Sequence, residues 1–214
     1  MEESTTREKV LKKIRAALLN NSASAHPRID HEANIFAQSD QDPLLEFSDQ
    51  LTACGGRLIL CNDDLEFVEG IIKLSDQYKW KNFYCIEENL SSLLTNCDFP
   101  YFNDVQKLPD ADIVIASCEC MIARTGTIVF SSLLNSRLAT ALASTLIVFA
   151  KADQIVYEMK DAIQLLKHRY SKFPSCFTFS SGASRVSNIA GETITGAHGI
   201  QQLYVFLVDD SSTS

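Results

Sequence analysis

The sequence predicts an α/β fold with a mostly parallel sheet, and three observations support this prediction. Short apolar runs with the length of buried strands recur along the chain, and amphipathic helical segments separate them. Capping residues and glycines mark where several of these helices begin and end. A chain of 214 residues, 46% of them hydrophobic, is long enough to bury one substantial core. Strands that alternate with helices typically form a parallel sheet with helices on both faces.

The first predicted element is a helix over Arg7–Leu19. Its apolar residues, which fall on one helical face, are Val10, Leu11, Ile14, Ala17 and Leu18. A polar stretch that contains Pro27 follows the helix and predicts an extended connector. We therefore divide the chain into an N-terminal helix with its connector, residues 1–42, and an α/β domain, residues 43–214.

Local capping signals define the helices of this domain. Asp42-Pro43 predicts a helix start, because an aspartate side chain accepts hydrogen bonds from the first turn and proline fits the first helical position. Gly55-Gly56 predicts the end of the same helix. The predicted helices run over Pro43–Ala53, from Asn62 or Asp63 to about Tyr78, and over Glu88–Thr95 and Tyr157–Tyr170.

Apolar runs between these helices predict the strands. Thr125-Gly126 separates two of the runs, which therefore form a hairpin or a bulged pair. The predicted strands are Arg57–Cys61, Asn82–Ile86, Asp112–Ala116, Met121–Arg124, Thr127–Ser131, Thr145–Ala150, Cys176–Phe179 and Leu203–Val208.

Composition and charge argue against several classes of protein. The formal net charge of −8 and the pI near 5.0 disfavour a broad nucleic-acid surface, which needs a basic face. The N-terminus is charged and has no apolar signal core, and the longest apolar runs are well short of a membrane span. We therefore expect a cytoplasmic protein without a membrane span.

The seven cysteines predict reduced thiols in a reducing compartment. Their number is odd and no two are spaced as CxxC, so a secreted disulfide framework is not expected. Cys118 and Cys120 form one close pair, for which a redox or metal role is conceivable. Two thiols fall short of a cluster site, and core thiols are the more common case. No metal or cofactor is predicted, because no GxGxxG motif follows a strand either.

A polar, glycine-rich segment from Ser180 to Gly199 lies between two predicted strands. Loops of this kind commonly bind ligands in α/β proteins. Ser181, Gly182 and Ser184 can present hydroxyl and backbone N–H donors, and the Arg185 guanidinium can bind a carboxylate or a phosphate. The alternative is a tight turn whose hydroxyl groups satisfy their own backbone.

Two further motifs are candidates for the same cleft. His198 could act as a general acid or base or as a ligand donor, and it could equally hold backbone carbonyls in a turn. The Thr125–Thr127 segment could present hydroxyls at a hairpin tip, or could serve turn chemistry alone. We expect these segments and the Ser181–Arg185 loop to form one electropositive hollow. The predicted ligand-binding residues are Thr125, Gly126, Thr127, Ser181, Gly182, Ser184, Arg185, His198 and Gly199.

These motifs resemble the LutC/YkgG family, whose members are called lactate utilization protein C and carry the LUD domain. The end of the family pattern is roughly SGPSRTADIE followed by GVHGP, and here it corresponds to Ser181–Arg185, Asn188-Ile189 and Gly196–Gly199. The segment Ile122–Val129, IARTGTIV, is similar to the family's IAETGT segment. Because the matches run through most of the chain in the family's order, the sequence is identified as a divergent member.

The sequence departs from the family pattern at several positions. Arg124 replaces the glutamate before TGT, and Ala183 replaces the proline of SGPSR. Asn188 and Ala190 stand where the family has aspartate and glutamate. Arg124 would favour an anionic ligand if it points into the cleft, and it could equally pair with a surface carboxylate. The loss of acidic residues is consistent with an altered ligand or a weakened site.

The resemblance implies a fold, a function and partners. The fold is the three-layer α/β/α sandwich of the NagB/RpiA/CoA-transferase type with a mixed, mostly parallel sheet. The function is that of an accessory or substrate-binding subunit in a cytoplasmic system that oxidises L-lactate to pyruvate. The partners are proteins that carry iron–sulfur clusters, and the ligand is a small anion. Self-association into a homo-oligomer is left open.

Two alternative functions stay open beside this one. The first is a stand-alone enzyme of the same fold group, such as an acyl-CoA transferase or a folate cyclo-ligase relative. No glutamate stands in a recognisable transferase motif, which counts against it. The second is a non-catalytic interaction protein that docks through its N-terminal helix and keeps a degenerate pocket.

Overall fold

The computed structural model describes residues 6–19, 39–187, 189, 192–195 and 199–209. The chain divides into two compact units, Met1–Asp40 and Gln41–Ser214. In the first unit, helix α1 spans Thr6–Leu19 and coincides with the predicted N-terminal helix. No helix within the described ranges is long and apolar enough to cross a membrane.

Helices and strands alternate in the second unit as far as the strand Ile113–Ser117, as the sequence predicts. Its described helices are α2 (Pro43–Ala53), α3 (Asp64–Tyr78), α4 (Glu88–Asn96), α5 (Arg137–Leu142) and α6 (Met159–Arg169). Its described strands are β1 (Gly56–Cys61), β2 (Phe83–Tyr84), β3 (Ile113–Ser117), β4 (Cys120–Ile122), β5 (Thr127–Ser131), β6 (Thr145–Lys151), β7 (Ile155–Val156), β8 (Phe177–Ser180), β9 (Arg185–Ser187), β10 (Thr193–Thr195) and β11 (Gln202–Val208). Helix α5, strand β7 and the antiparallel β9–β10 ribbon were not predicted.

The central sheet has the strand order β1-β11-β6-β3-β2, and every neighbouring pair is parallel. In the register of the sheet, Gly56 lies opposite Leu203, and Thr145 lies opposite both Gln202 and Ile113. All five strands therefore begin at one end of the sheet and finish at the other. We call these the amino end and the carboxyl end of the sheet. The parallel sheet confirms the predicted α/β class.

Helices α3 and α4 cover one face of the central sheet. Phe67 of α3 is fully buried and packs edge-to-face on Phe206 of β11, with 5.3 Å between the ring centroids. Leu90 and Leu94 of α4 belong to the same core cluster. Apolar residues at three- and four-residue spacing thus place one face of each helix on the sheet.

Helix α2 and a second sheet cover the opposite face. Phe47 and Leu51 of α2 are fully buried in a core cluster that also contains Val205 of β11. The second sheet has the strand order β7-β4-β5-β8. Its β4–β5 and β5–β8 pairs are antiparallel and its β4–β7 pair is parallel. The β4–β5 pair confirms the predicted hairpin around Thr125-Gly126.

The β4–β5 pair is buried on both of its faces, which explains why it forms a layer of its own. Met121 and Ile128 belong to the core cluster under the central sheet, whereas Ile122 and Val129 pack with Leu166 of α6. Successive residues of a strand point to opposite faces, so this sheet separates two apolar clusters. The mixed pairing expected for the fold therefore lies in the second sheet, and the central sheet is parallel throughout.

Capping geometry confirms two predicted helix starts. The Asp42 side chain accepts hydrogen bonds from the N–H groups of Leu44 and Leu45, at 2.9 and 3.3 Å. The Asp63 carboxylate accepts one from the Glu66 N–H at 2.7 Å. Each such cap stabilises a helix by about 1 kcal/mol.

Candidate functional site

The Ser181–Arg185 loop lies at the amino end of the central sheet. The Ser184 N–H donates to the Ile200 carbonyl at 2.7 Å, and the Ala183 N–H donates to the Cys54 carbonyl at 3.3 Å. Ile200 shortly precedes β11 and Cys54 shortly precedes β1. Both acceptors therefore lie where parallel strands begin.

A chain of hydroxyl groups joins this loop to the Thr125–Thr127 segment. The Oγ1 atom of Thr127 lies 2.7 Å from Oγ1 of Thr125 and 2.6 Å from Oγ of Ser181. Thr127 is only 3% exposed, whereas Thr125 and Ser181 are exposed. The structure thus brings together two segments that the sequence predicts to share a site, although Thr127 and Ser181 are 54 positions apart.

Gly126 and Gly182 allow these segments to approach the end of helix α2. Their φ angles of 60° and 99° lie in the left-handed region that favours glycine. A Cβ atom on Gly126 would collide with the backbone of Leu51, and one on Gly182 would collide with the carbonyl group of Cys54. Both glycines therefore permit close contact with the protein's own backbone.

The Arg185 guanidinium lies beside the carboxyl-terminal end of α2. Its Nη2 atom is 3.4 Å from the Ala53 carbonyl oxygen, and the side chain is exposed. A cation is favourable here, because the last carbonyl groups of a helix carry partial negative charge. A Cβ atom on Gly55 would lie 2.8 Å from the same nitrogen, so a glycine at this position makes room for the guanidinium.

Part of the predicted site lies outside the described residues. This applies to His198, and also to Asn188 and Ala190 among the departures from the family pattern. Gly199 is described, is half-buried and has a φ angle of 80° in the turn before β11.

Arg124 pairs with a carboxylate, which is one of the two arrangements expected for it. Its Nε atom lies 3.4 Å from a carboxylate oxygen of Glu158. Its guanidinium also lies over the ring of Tyr157, 5.2 Å from the ring centroid. The charge of Arg124 is therefore at least partly balanced within the protein.

The close cysteine pair consists of two core thiols. None of the seven cysteines forms a disulfide, and both Cys118 and Cys120 are buried, in different apolar clusters. Burial raises the pKa of the Cys118 thiol far above its ordinary value and that of Cys120 to about 11. Neither thiol is a reactive thiolate at neutral pH. Within the described part of the chain, no three His, Cys, Asp or Glu side chains are grouped as metal ligands.

A cleft of about 620 Å³ opens at the carboxyl end of the central sheet, away from the Ser181–Arg185 loop. The ends of β3 and β6 and the segment after β2 line it, as do the first residues of α3 and α4. Among its lining residues are Asp64, Glu87, Glu88, Leu90, Ser117, Phe149, Lys151 and Gln154. The cleft thus combines polar and apolar side chains.

Glu87 is a buried carboxyl group in the wall of this cleft. It is 7% exposed and accepts a 2.6 Å hydrogen bond from the Ser117 N–H and a very short one from the Ser117 hydroxyl. Burial outweighs these bonds and a further one from Asn135, and it raises the pKa of Glu87 to about 7. Glu87 can therefore gain or lose a proton near neutral pH.

Sequence reasoning did not single out Glu87, although one signal pointed to it. Glu87 directly follows the predicted strand Asn82–Ile86, and ligands of parallel α/β sheets bind beyond the carboxyl ends of the strands. The glycine-rich composition of the Ser180–Gly199 segment was the more conspicuous signal, and this segment lies in part at the amino end.

Comparison of the chain with known proteins relates it to a family. The family model of the LUD domain matches residues 103–208. The matched range contains Thr125–Thr127 and Ser181–Arg185 as well as strands β3 to β11.

Residues 103–208 of the chain belong to the LUD-domain family.

Curated proteins confirm the predicted resemblance of this LUD domain to lactate utilization protein C. The chain is 28% identical over 111 residues to the proteins of that name from Bacillus licheniformis and Bacillus subtilis. It is 30% identical over 112 residues to lactate utilization protein C 1 of Bacillus mycoides. Each match covers 50% of this chain, and 46% or 47% of the relative. The matched part is thus about half the length of these relatives, and the LUD domain described here is divergent.

A solved structure confirms the fold of the LUD domain. The crystal structure of a DUF162 family protein from Deinococcus radiodurans superposes with a TM-score of 0.58 at 19% sequence identity. The alignment covers 78% of this chain and 96% of that chain. At this level of identity the likeness concerns the fold alone.

Proposed function

We propose that this LUD-domain protein acts in lactate utilization, as an accessory or substrate-binding subunit of a cytoplasmic system that oxidises L-lactate to pyruvate. The names of the three Bacillus relatives support this role. In this proposal, partner proteins with iron–sulfur clusters carry the electrons, and the present chain binds a small anionic ligand.

The contact between Thr127 and Ser181 supports the position of the proposed ligand site. It places hydroxyl groups from two separate segments within 2.6 Å of each other. Arg185 lies on the same loop as Ser181 and adds a guanidinium, the group that binds carboxylates with two parallel hydrogen bonds. Hydroxyl donors and a guanidinium on one loop suit a carboxylate such as that of lactate.

Binding of an anion beside the Ser181–Arg185 loop requires the positive charge of Arg185. The carboxyl-terminal end of α2 carries partial negative charge and disfavours an anion nearby. The 3.4 Å contact of Arg185 with the Ala53 carbonyl is long, and the side chain is exposed, so the guanidinium can turn toward a ligand. Loss of Arg185 would remove the attraction and leave the repulsion.

The remaining predicted residues complete the proposal. Ser184 belongs to the same loop, and its N–H donates to the carbonyl of Ile200, the residue after Gly199. His198 is the candidate acid, base or hydrogen-bond donor of the site. Gly126 and Gly182 act through the backbone, because larger residues there would push the loops away from α2.

The direct test is thermal unfolding of the full chain with millimolar L-lactate, pyruvate or inorganic phosphate. Binding to the folded state raises the melting temperature by mass action. We expect a rise with L-lactate that Arg185→Ala abolishes and that the control variant Lys73→Ala retains. Lys73 is 75% exposed on α3, where it pairs with Glu69. The ligand-site proposal fails if none of these anions raises the melting temperature of the natural protein.

A second experiment tests the role in lactate utilization itself. Expression of this chain in a Bacillus subtilis strain that lacks its lactate utilization protein C is expected to restore growth on L-lactate. Arg185→Ala should reduce that growth, and Lys73→Ala should not. Turnover of an acyl-CoA by the purified chain alone would instead favour the enzyme alternative.

A further inference from the structure

The cleft at the carboxyl end of the central sheet has no part in the proposed anion site. Its volume of about 620 Å³ is within the range of about 300–1,000 Å³ that small-molecule sites occupy. We propose that this cleft binds an uncharged, hydroxylated molecule with an aromatic ring, the chemistry of a nucleoside, and that Glu87 accepts a hydrogen bond from one of its hydroxyl groups.

The topology of the sheet favours a ligand at this end. Segments that leave the carboxyl ends of parallel strands form the crevice in which α/β proteins bind ligands. Here β2, β3 and β6 are neighbours in the sheet. Glu87 follows β2, Ser117 is the last residue of β3, and Lys151 is the last residue of β6. Three adjacent strands therefore bring polar groups to one place.

Glu87 has hydrogen-bonding capacity that the protein does not exhaust. A carboxylate has roughly four acceptor positions. The N–H and hydroxyl of Ser117 occupy one position on each oxygen of Glu87, and the Asn135 side chain occupies a third. The side-chain amide of Asn135 fixes Ser117 in turn, by donating to its carbonyl at 3.0 Å. The carboxyl group is thus held rigidly at the wall of the cleft and can accept one further bond.

Asp64 offers a second acceptor in the same cleft. Its Oδ1 atom is buried and has no hydrogen-bond partner within the described part of the chain, although the residue lines the cleft. A buried acceptor without a donor is unfavourable. A ligand hydroxyl or N–H group near Asp64 would supply that donor.

The balance of charges favours an uncharged ligand. Asp64 and Glu88 are the first residues of α3 and α4, where a carboxylate offsets the positive end of the helix dipole. Glu87 adds a third carboxyl group to the lining of the cleft, and Lys151 adds an ammonium group. A polyphosphate would therefore meet three carboxyl groups and one ammonium group, which is an unfavourable surrounding.

Apolar side chains complete the cleft and favour a ligand that carries a ring. Leu90 is buried and Phe149 is half-buried, and both line the cleft, as does Leu93. The face of an aromatic ring of the ligand can contact these side chains while a hydroxyl group of the ligand reaches Glu87. A sugar without a base would leave this apolar surface in contact with water.

The test is calorimetric titration of the full chain with adenosine. Saturable binding is expected at pH 8, above the pKa of Glu87, and Glu87→Gln should weaken it about tenfold, since a charge-assisted hydrogen bond is lost. The matched control Glu69→Gln, on the exposed side of α3, should leave the affinity unchanged. Arg185→Ala should also leave it unchanged, which separates this proposal from that for the anion site. ATP should bind more weakly than adenosine.

Three results would overturn the proposal. The first is an absence of saturable adenosine binding by the natural chain up to about 5 mM. The second is an affinity for adenosine that Glu87→Gln changes less than twofold. The third is tighter binding of ATP than of adenosine.

Amide NMR shifts of the natural chain give a second test, which does not depend on the folding of any variant. Adenosine must shift the Glu87 and Ser117 amides, and shifts confined to other regions would also contradict the proposal.

Discussion

The Ser117 N–H donates a 2.6 Å hydrogen bond to the Glu87 carboxyl group, and the Ser117 hydroxyl donates to the same carboxyl, although the two residues are 30 positions apart. This contact ties the segment after β2 to the last residue of β3. It keeps a carboxyl group buried in the wall of a cleft, where burial raises its pKa to about 7.

The raised pKa of Glu87 predicts that the protein loses stability between pH 4.5 and pH 7. Its ordinary pKa is 4.5, so in this interval the unfolded chain has released a proton that the folded chain still binds. The protonated Glu87 carboxyl therefore stabilises the folded state. This stabilisation is fully present below the pKa of Glu87 in the unfolded chain. It is lost as the pH rises through the pKa of Glu87 in the folded chain, by roughly 3 kcal/mol of unfolding free energy in total. Urea unfolding at several pH values measures this, and Glu87→Gln should flatten the profile.

Glu69→Gln is the control for this prediction, because Glu69 is 66% exposed and makes only a surface ion pair. It should leave the pH profile of unfolding unchanged. Equal pH dependence in the natural chain and in Glu87→Gln would show that Glu87 ionises in the folded protein as it does in water.

Removal of the partner of a buried carboxylate should destabilise the second sheet. The Glu119 side chain is 1% exposed, and the Arg169 Nη1 atom donates to it at 2.7 Å. The Tyr170 hydroxyl donates to the other carboxylate oxygen at 2.5 Å. Because Arg169 is 40% exposed and partly screened by water, Arg169→Ala should cost roughly 2 to 3 kcal/mol. Lys167→Ala on the same helix is the control, and equal losses in both variants would contradict the prediction.

The glycine before β5 should tolerate no larger residue. Gly126→Ala would place a Cβ in the left-handed region and against the backbone of Leu51. The expected loss is about 2 to 4 kcal/mol of unfolding free energy, from the backbone conformation and from steric overlap. Thr125→Ala, at an exposed neighbour, should cost less than about 1 kcal/mol. If Gly126→Ala lowered the unfolding free energy by less than about 1 kcal/mol, the turn would not pack against α2.

The thiols should fall into two reactivity classes toward a disulfide reagent. Cys54, Cys97 and Cys176 are half-buried and should react within the folded protein. The buried thiols, which should react only on unfolding, are Cys61, Cys85, Cys118 and Cys120. Burial raises the pKa of Cys61 and of Cys85 to about 11, so these thiols are protonated as well as inaccessible. Reaction of Cys118 as fast as that of Cys54 would contradict this order.

Local features of this fold could be predicted from the sequence because their causes are local. The cap of α2 needs only Asp42 and the two N–H groups that follow, and the cap of α3 needs only Asp63 and Glu66. The β4–β5 hairpin likewise closes within a few residues around Thr125-Gly126.

Long-range pairings could not be predicted in this way. The sequence places the polar Ser180–Gly199 segment between strands. It does not show that the strand before the segment, β8, pairs with β5 in the second sheet, whereas the strand after it, β11, lies in the central sheet. Glu87 follows a strand that pairs over only two residues, Phe83 and Tyr84, and the residue that holds its carboxyl group lies on β3. Helix α5 spans only the six residues Arg137–Leu142, which is too short for a helical periodicity to be recognised.

Amide NMR shifts during titration of the natural chain with L-lactate test the central claim most directly. The account predicts shifts at the amides of Thr125–Thr127 and Ser181–Arg185, and loss of these shifts in Arg185→Ala. An absence of shifts in both segments at saturating lactate, or shifts that persist unchanged in Arg185→Ala, would contradict it.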